Sequence, residues 1–139
     1  MRSFLALALA LIVVACTPGG SSPTPSISVP ESFGPRPASP ATLTITTPQN
    51  GATLSGPTVH VSMDLENATI TSATTASISP TLGHIHLYVD GALTSMNYST
   101  EEDLPVTPGT YAIKAEFVAS DHAPFSPRVW SNQVVFTVR

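Results

Sequence analysis

The sequence predicts an all-β chain built as a two-sheet antiparallel sandwich of six or seven strands, and three observations carry this. Segments rich in threonine, valine and isoleucine alternate apolar with polar residues at period 2, the spacing of a strand with one buried face. Glycine, proline and asparagine interrupt them at short intervals, and apolar spacing of helical period is absent. The stretch 41–139 is long enough for one domain of sandwich size and too short for two.

Leu43 and Ile45 alternate with threonines in a first strand that stops at Pro48, where Gln49, Asn50 and Gly51 supply a turn suited to positive φ. Val59, Val61, Met63 and Leu65 mark a second strand, and Ile85, Leu87 and Val89 a third. Asp90 and Gly91 are tight-hairpin residues and send Leu93 to Tyr98 back as a fourth. Glu101, Glu102 and Asp103 read as a solvated loop before Leu104 and its flanking prolines. After the Pro108–Gly109 turn, Tyr111, Ile113, Ala115 and Phe117 define a long strand, and Val134, Phe136 and Val138 the last. The polar stretch from Glu66 to Leu82 is expected as an irregular edge or mobile lobe. Phe125, Val129 and Trp130 are expected to cover one end of the sandwich or to form an aromatic patch there.

The first 40 residues have a different character. Arg2 precedes an apolar run from Phe4 to Val14, roughly half the ~20 residues that a membrane-spanning helix needs. That pattern is a signal peptide over 1–15 and implies export. Val13, Val14, Ala15 and Cys16 resemble the lipobox of bacterial lipoproteins, and the resemblance implies lipidation of Cys16. The alternative is an ordinary secretory signal ending near a free thiol, an unusual group outside the cell. Each acyl methylene buried in a bilayer contributes about 0.8 kcal/mol, so two or three chains would hold the protein at a membrane of the bacterial cell envelope. Residues 16–40 are rich in proline, serine and threonine and are expected to be a flexible tether, extended at about 3.1 Å per residue where polyproline geometry prevails.

Composition narrows the functions open to the domain. The net charge of −4 becomes −5 once Arg2 leaves with the leader, and the domain has no cluster of lysines and arginines. Nucleic acid is therefore not an expected partner. Cys16 is the only cysteine, so no disulfide can staple the fold. There is no nucleophile elbow, no phosphate-binding glycine loop and no His-Glu-x-x-His helix, so an enzyme is not expected.

The segments PQNGATLSGPTVHVSM (48–63) and PGTYAIKAEF (108–117) resemble bacterial immunoglobulin-like domains, which implies an immunoglobulin-like antiparallel β-sandwich. More narrowly, GHIHLYVDG (83–91) with PGTYAIKAEFVASDHAPF (108–125) is similar to a group of uncharacterised exported bacterial proteins with a histidine-bearing strand and an Asp-His-x-Pro segment. Several of those carry three consecutive histidines where His84 and His86 here flank Ile85. This resemblance singles out the histidines without implying what they do.

His84 and His86, two apart on a strand, point to one face. In an immunoglobulin-like sandwich the Ile85 strand runs antiparallel to the Tyr111 strand, so the start of one meets the end of the other. His122 lies just past that end, with Asp121 beside it. His84, His86, His122 and Asp121 are thus the candidate metal ligands, and imidazoles suit zinc or copper rather than calcium or magnesium. The alternatives are outward polar positions with no ligand and, for Asp121, His122 and Pro124, a tight turn fixed by side chain to backbone hydrogen bonds. His60 is expected at the opposite pole; the thioethers of Met63 and Met96 could assist copper(I), but Met63 lies on the apolar face and is expected in the core, and Met96 is uncommitted. Two functions stand at this level: a membrane-anchored metal-binding lipoprotein, or a metal-free adhesion, scaffold or interaction module that contacts an envelope protein.

Overall fold

The structure, a computed structural model, describes residues 35–139. The expected leader, Cys16 and the tether as far as residue 34 lie outside the described residues. Every regular element among the described residues is a strand: β1 (Thr42–Thr47), β2 (Thr53–Leu54), β3 (Thr58–Glu66), β4 (Thr69–Ile70), β5 (Leu82–Val89), β6 (Ala92–Asn97), β7 (Glu101–Pro105), β8 (Gly109–Ala119), β9 (Pro124–Trp130) and β10 (Val134–Val138). They form an immunoglobulin-like β-sandwich. One sheet has the order β1-β3-β7, and the other is centred on the antiparallel pair β5 and β8. The free edge of β8 is shared, β10 pairing with its first half and β9 with its last residues. The free edge of β5 is likewise shared between β4 and β6.

The period-2 pattern explains both the strands and the core. Leu43, Ile45, Val59, Val61, Met63 and Leu104 from the smaller sheet face Ile85, Leu87, Ile113, Ala115, Phe117, Val134 and Phe136 from the larger. Each large aliphatic or aromatic side chain removed from water there contributes about 1.5–3 kcal/mol, and this burial stands in for the missing disulfide. Asn132 ties the sheets by side chain: Ile45 N donates to its Oδ1 at 2.9 Å, and its Nδ2 donates to Ile45 O at 3.3 Å. Tyr111 makes a tyrosine corner. Its hydroxyl donates to Thr107 O at 2.9 Å and accepts from Thr107 N at 3.1 Å, bracing the turn between β7 and β8 as in immunoglobulin-like domains.

Two expectations are corrected. Glu101, Glu102 and Asp103 are not a loop but the start of β7, paired with β3 through Val61↔Glu102 and Val59↔Leu104. Phe125 and Val129 do not cap an end. They belong to β9 and lie in the core, Phe125 stacked on Phe117 with ring centroids 5.5 Å apart. The six strands expected from alternation and from the Asp90–Gly91 turn are all present, and β7, β9 and the two-residue β2 and β4 complete the set.

The described chain is already attached to the sandwich before Ala41. Arg36 Nη1 donates to Asp121 Oδ2 at 2.6 Å and Nη2 to Asp121 Oδ1 at 2.9 Å, while the same guanidinium reaches Ala123 O and Pro124 O. Ser126 N donates to Pro37 O at 3.1 Å. The tether expected as far as residue 40 therefore gives way to anchored chain by Arg36.

The hairpin of β5 and β6 turns on Asp90 and Gly91, both at positive φ (51° and 83°), which matches the right-handed twist of its strands. Val89 pairs with Ala92 and Tyr88 with Leu93, but Leu87 pairs with Ser95. Thr94 is thus a bulge, and it advances the register beyond it by one residue.

Candidate metal centre

β5 and β8 position the site. Pairing of Gly83 with Ala119 and His84 with Val118 puts the beginning of β5 beside the end of β8. Gly83 makes this approach possible, because a Cβ there would lie 1.9 Å from Val118 O. Ile85 and Leu87 enter the core, so alternation turns His84 and His86 to the outer face of the larger sheet. That face is not open to solvent at this point: His84 is 1% exposed and His86 5%.

The chain leaves β8 through a tight turn in which His122 N donates to Ala119 O at 2.9 Å. His122 itself has φ of 66°, the left-handed region that a non-glycine residue adopts at a cost. This conformation brings its ring over β5, 4.3 Å from the ring of His84 and 6.2 Å from that of His86, centroid to centroid. The candidate ligand nitrogens of His84, His86 and His122 all lie within 4.8 Å of one another. Those of His84 and His86, both Nε2, are 3.2 Å apart. Two nitrogens bound to one tetrahedral zinc at about 2.0–2.1 Å would be roughly 3.3 Å apart. The His84 and His86 rings are hydrogen-bonded through their Nε2 atoms, and the same spacing would let them share an ion.

Burial pushes the His84 ring down to about pH 4, with His122 and His86 reinforcing the shift and Asp121 opposing it. Burial also lowers His86, against the pull of the Glu116 carboxylate and with the push of His122 and Arg128. Both imidazoles are neutral at pH 7 and offer lone pairs rather than charge. His122 Nε2 lies 3.3 Å from Thr74 Oγ1, whereas its Nδ1 is buried and has no hydrogen-bond partner. An unpartnered buried nitrogen costs free energy unless something binds it.

Three of the four expected ligands come together and Asp121 does not join them. Both its oxygens are taken by Arg36, and Oδ1 also accepts from Ala123 N at 3.2 Å. The Arg36 guanidinium holds this carboxyl below the usual range. The turn-fixing role of the Asp-His-x-Pro segment thus falls to Asp121, while His122 turns its ring toward the other two imidazoles. His60 lies elsewhere, exposed on the smaller sheet, with Nδ1 2.8 Å from Asp103 Oδ1 and Nε2 2.8 Å from Glu101 Oε2.

The structure adds residues that alternation alone did not reveal. The Tyr98 ring lies 5.4 Å from that of His84. Glu116, opposite His86 in the register, is 1% exposed and held by Arg128 at 2.5 Å and 2.6 Å and by the Tyr88 hydroxyl at 3.2 Å. Trp130 is no free aromatic patch: Lys114 Nζ and the Arg128 guanidinium lie 4.6 Å and 4.5 Å from its ring centre. Thr74, from the polar stretch between Glu66 and Leu82, reaches the histidine cluster at His122.

No protein-family model matches the chain, and no curated protein matches it. Among solved structures it is similar to fibronectin(III)-like modules of Clostridium thermocellum CbhA, at 15% identity and a TM-score of 0.45. The match covers 70% of this chain and 45% of that one, so the chain spans less than half the length of that structure.

Proposed function

We propose that this chain is an exported lipoprotein, anchored to a membrane of the bacterial cell envelope through Cys16, whose β-sandwich binds one transition-metal ion, zinc or copper, through His84, His86 and His122. The observation that carries this reading is the meeting of three imidazoles from two distant segments, one of them on a residue in the left-handed region. A fully polar outer face needs none of this: outward histidines without a ligand would be solvated, not buried against one another. Three nitrogens leave a fourth coordination position open, as in sites that bind an exchangeable ligand. The role proposed for this site is ion binding.

The test uses the full-length protein in detergent, dialysed against zinc(II), copper(II) or, without oxygen, copper(I), and then against metal-free buffer. About one ion per chain retained, and lost in the double variant His84→Ala/His122→Ala, is the expected result. No retained ion, or retention indifferent to the double substitution, overturns the metal reading.

An immunoglobulin-like sandwich also fits a scaffold or interaction role. Leu82, Leu93, Met96 and Tyr98 are exposed along the β5–β6 edge and favour this second reading. Capture of an envelope protein that is lost with Leu93→Asp or Tyr98→Asp, in a chain that retains no metal, would favour it over the first. Phe125 is not a useful probe of docking, because it is buried.

A further inference from the structure

The bulge at Thr94 places Met96, rather than Ser95, directly opposite His86. Opposed residues of an antiparallel pair share a face with Cβ atoms about 4.5–5.5 Å apart, so Met96 stands on the outer face beside the imidazoles. It is 53% exposed, on an edge whose other exposed residues include Leu93 and Tyr98, and so is not held in the core as Met63 is. Its three rotatable bonds let the thioether swing toward a neighbour.

The charge around the site is as informative as its donors. The two carboxylates nearest the imidazoles are each neutralised by an arginine, Asp121 by Arg36 and Glu116 by Arg128. An ion at His84, His86 and His122 would therefore meet only neutral donors. The cost of desolvating an ion grows with the square of its charge, so a buried neutral donor set favours a monovalent ion over a divalent one. Among first-row metals the monovalent ion that binds imidazole is copper(I), and a thioether is a soft donor suited to it.

We propose that the ion held here is copper(I), and that the Met96 sulfur is its fourth ligand beside the three histidine nitrogens. This rests on the metal reading above and sharpens it. Zinc, by contrast, gains little from a thioether and would take water in the fourth position. No change of oxidation state is involved: the site takes up copper(I) already reduced.

The test measures two affinities on the full-length protein under anaerobic conditions, copper(I) against the chromogenic chelator bicinchoninate and zinc(II) against a chelating dye. Met96→Leu, at an exposed position, keeps volume and fold. It is expected to weaken copper(I) binding by at least about tenfold, no less than the loss of a ligand's outer partner, and to leave zinc(II) binding unchanged. X-ray absorption at the copper edge should show a sulfur neighbour in the parent protein and none in the variant. Equal copper(I) affinity of parent and variant, or a copper shell of nitrogen and oxygen alone, overturns the Met96 proposal while leaving the three-histidine site standing. Failure of the parent to retain either ion overturns both.

Discussion

His122 bears two opposed demands. Its backbone sits at φ 66°, where glycine would be at ease, yet its ring completes the imidazole cluster. His122→Gly is therefore expected to raise the unfolding free energy of the metal-free protein by about 1 kcal/mol while abolishing ion retention. Urea denaturation and metal analysis on the same preparation check this, and a variant that loses stability as well would show that the ring is there for packing. Gly83 is the reverse case. The Val118 carbonyl occupies the space of its missing Cβ, so Gly83→Ala must push β5 from β8 and should cost about 1–3 kcal/mol. Proton linkage offers a third residue-level test. The His84 ring titrates near pH 4 in the folded protein and near 6.5 when unfolded. Between those values the unfolded state binds more protons, so stability is full above about pH 6.5 and falls as the pH drops toward 4. His86 is shifted the same way and adds to the fall, whereas the exposed His60, raised by Asp103 and Glu101, opposes it weakly. The urea midpoint of the metal-free protein should drop between pH 7 and pH 4.5, and less steeply in His84→Gln.

The strands divide by how plainly alternation marks them. β1, β3, β5, β8 and β10 were legible because each sends apolar residues to the core at alternate positions, and β6, which sends none there, because the Asp90–Gly91 turn announces a hairpin. β7 was not. It lies at an edge, with Glu101 and Asp103 paired to Ser62 and His60 on the open face and only Leu104 in the core. β9 was hidden by Pro124 and Pro127, tolerable because this strand pairs on one side only, with β8. The site was legible to the extent that it follows from topology: antiparallel β5 and β8 bring His84 and His86 to His122. Its surroundings depend on register. A hairpin without the bulge would set Ser95 against His86, and nothing in the composition of β6 announces the extra residue. Asn132 shows how much one side chain can add at this scale. Its amide replaces a strand partner for Ile45, and Asn132→Ala should cost about 1 kcal/mol, read as an earlier urea midpoint with unchanged metal retention.

For the molecule as a whole, the sandwich begins earlier than its first strand. Arg36 is bonded to one carboxylate and two carbonyls at the far end of β8, with little exposure on either side of the ion pair. Arg36→Ala should lower the unfolding free energy by about 1–3 kcal/mol, and thermal unfolding of the two full-length proteins checks it. An unchanged midpoint would return the domain boundary to Ala41.

That clamp also decides at which end of the domain residues 35–37 enter it. Residues 35–37 join the sandwich next to the turn that carries His122, whereas Val138 and Arg139 pair beside Gly109 and Leu54, the length of β8 away, roughly 30 Å. A bulky reporter grafted ahead of Pro35 would crowd the histidines, and the same reporter attached at Arg139 would leave them clear. Labelling and immobilisation of this protein should therefore proceed from the Arg139 side.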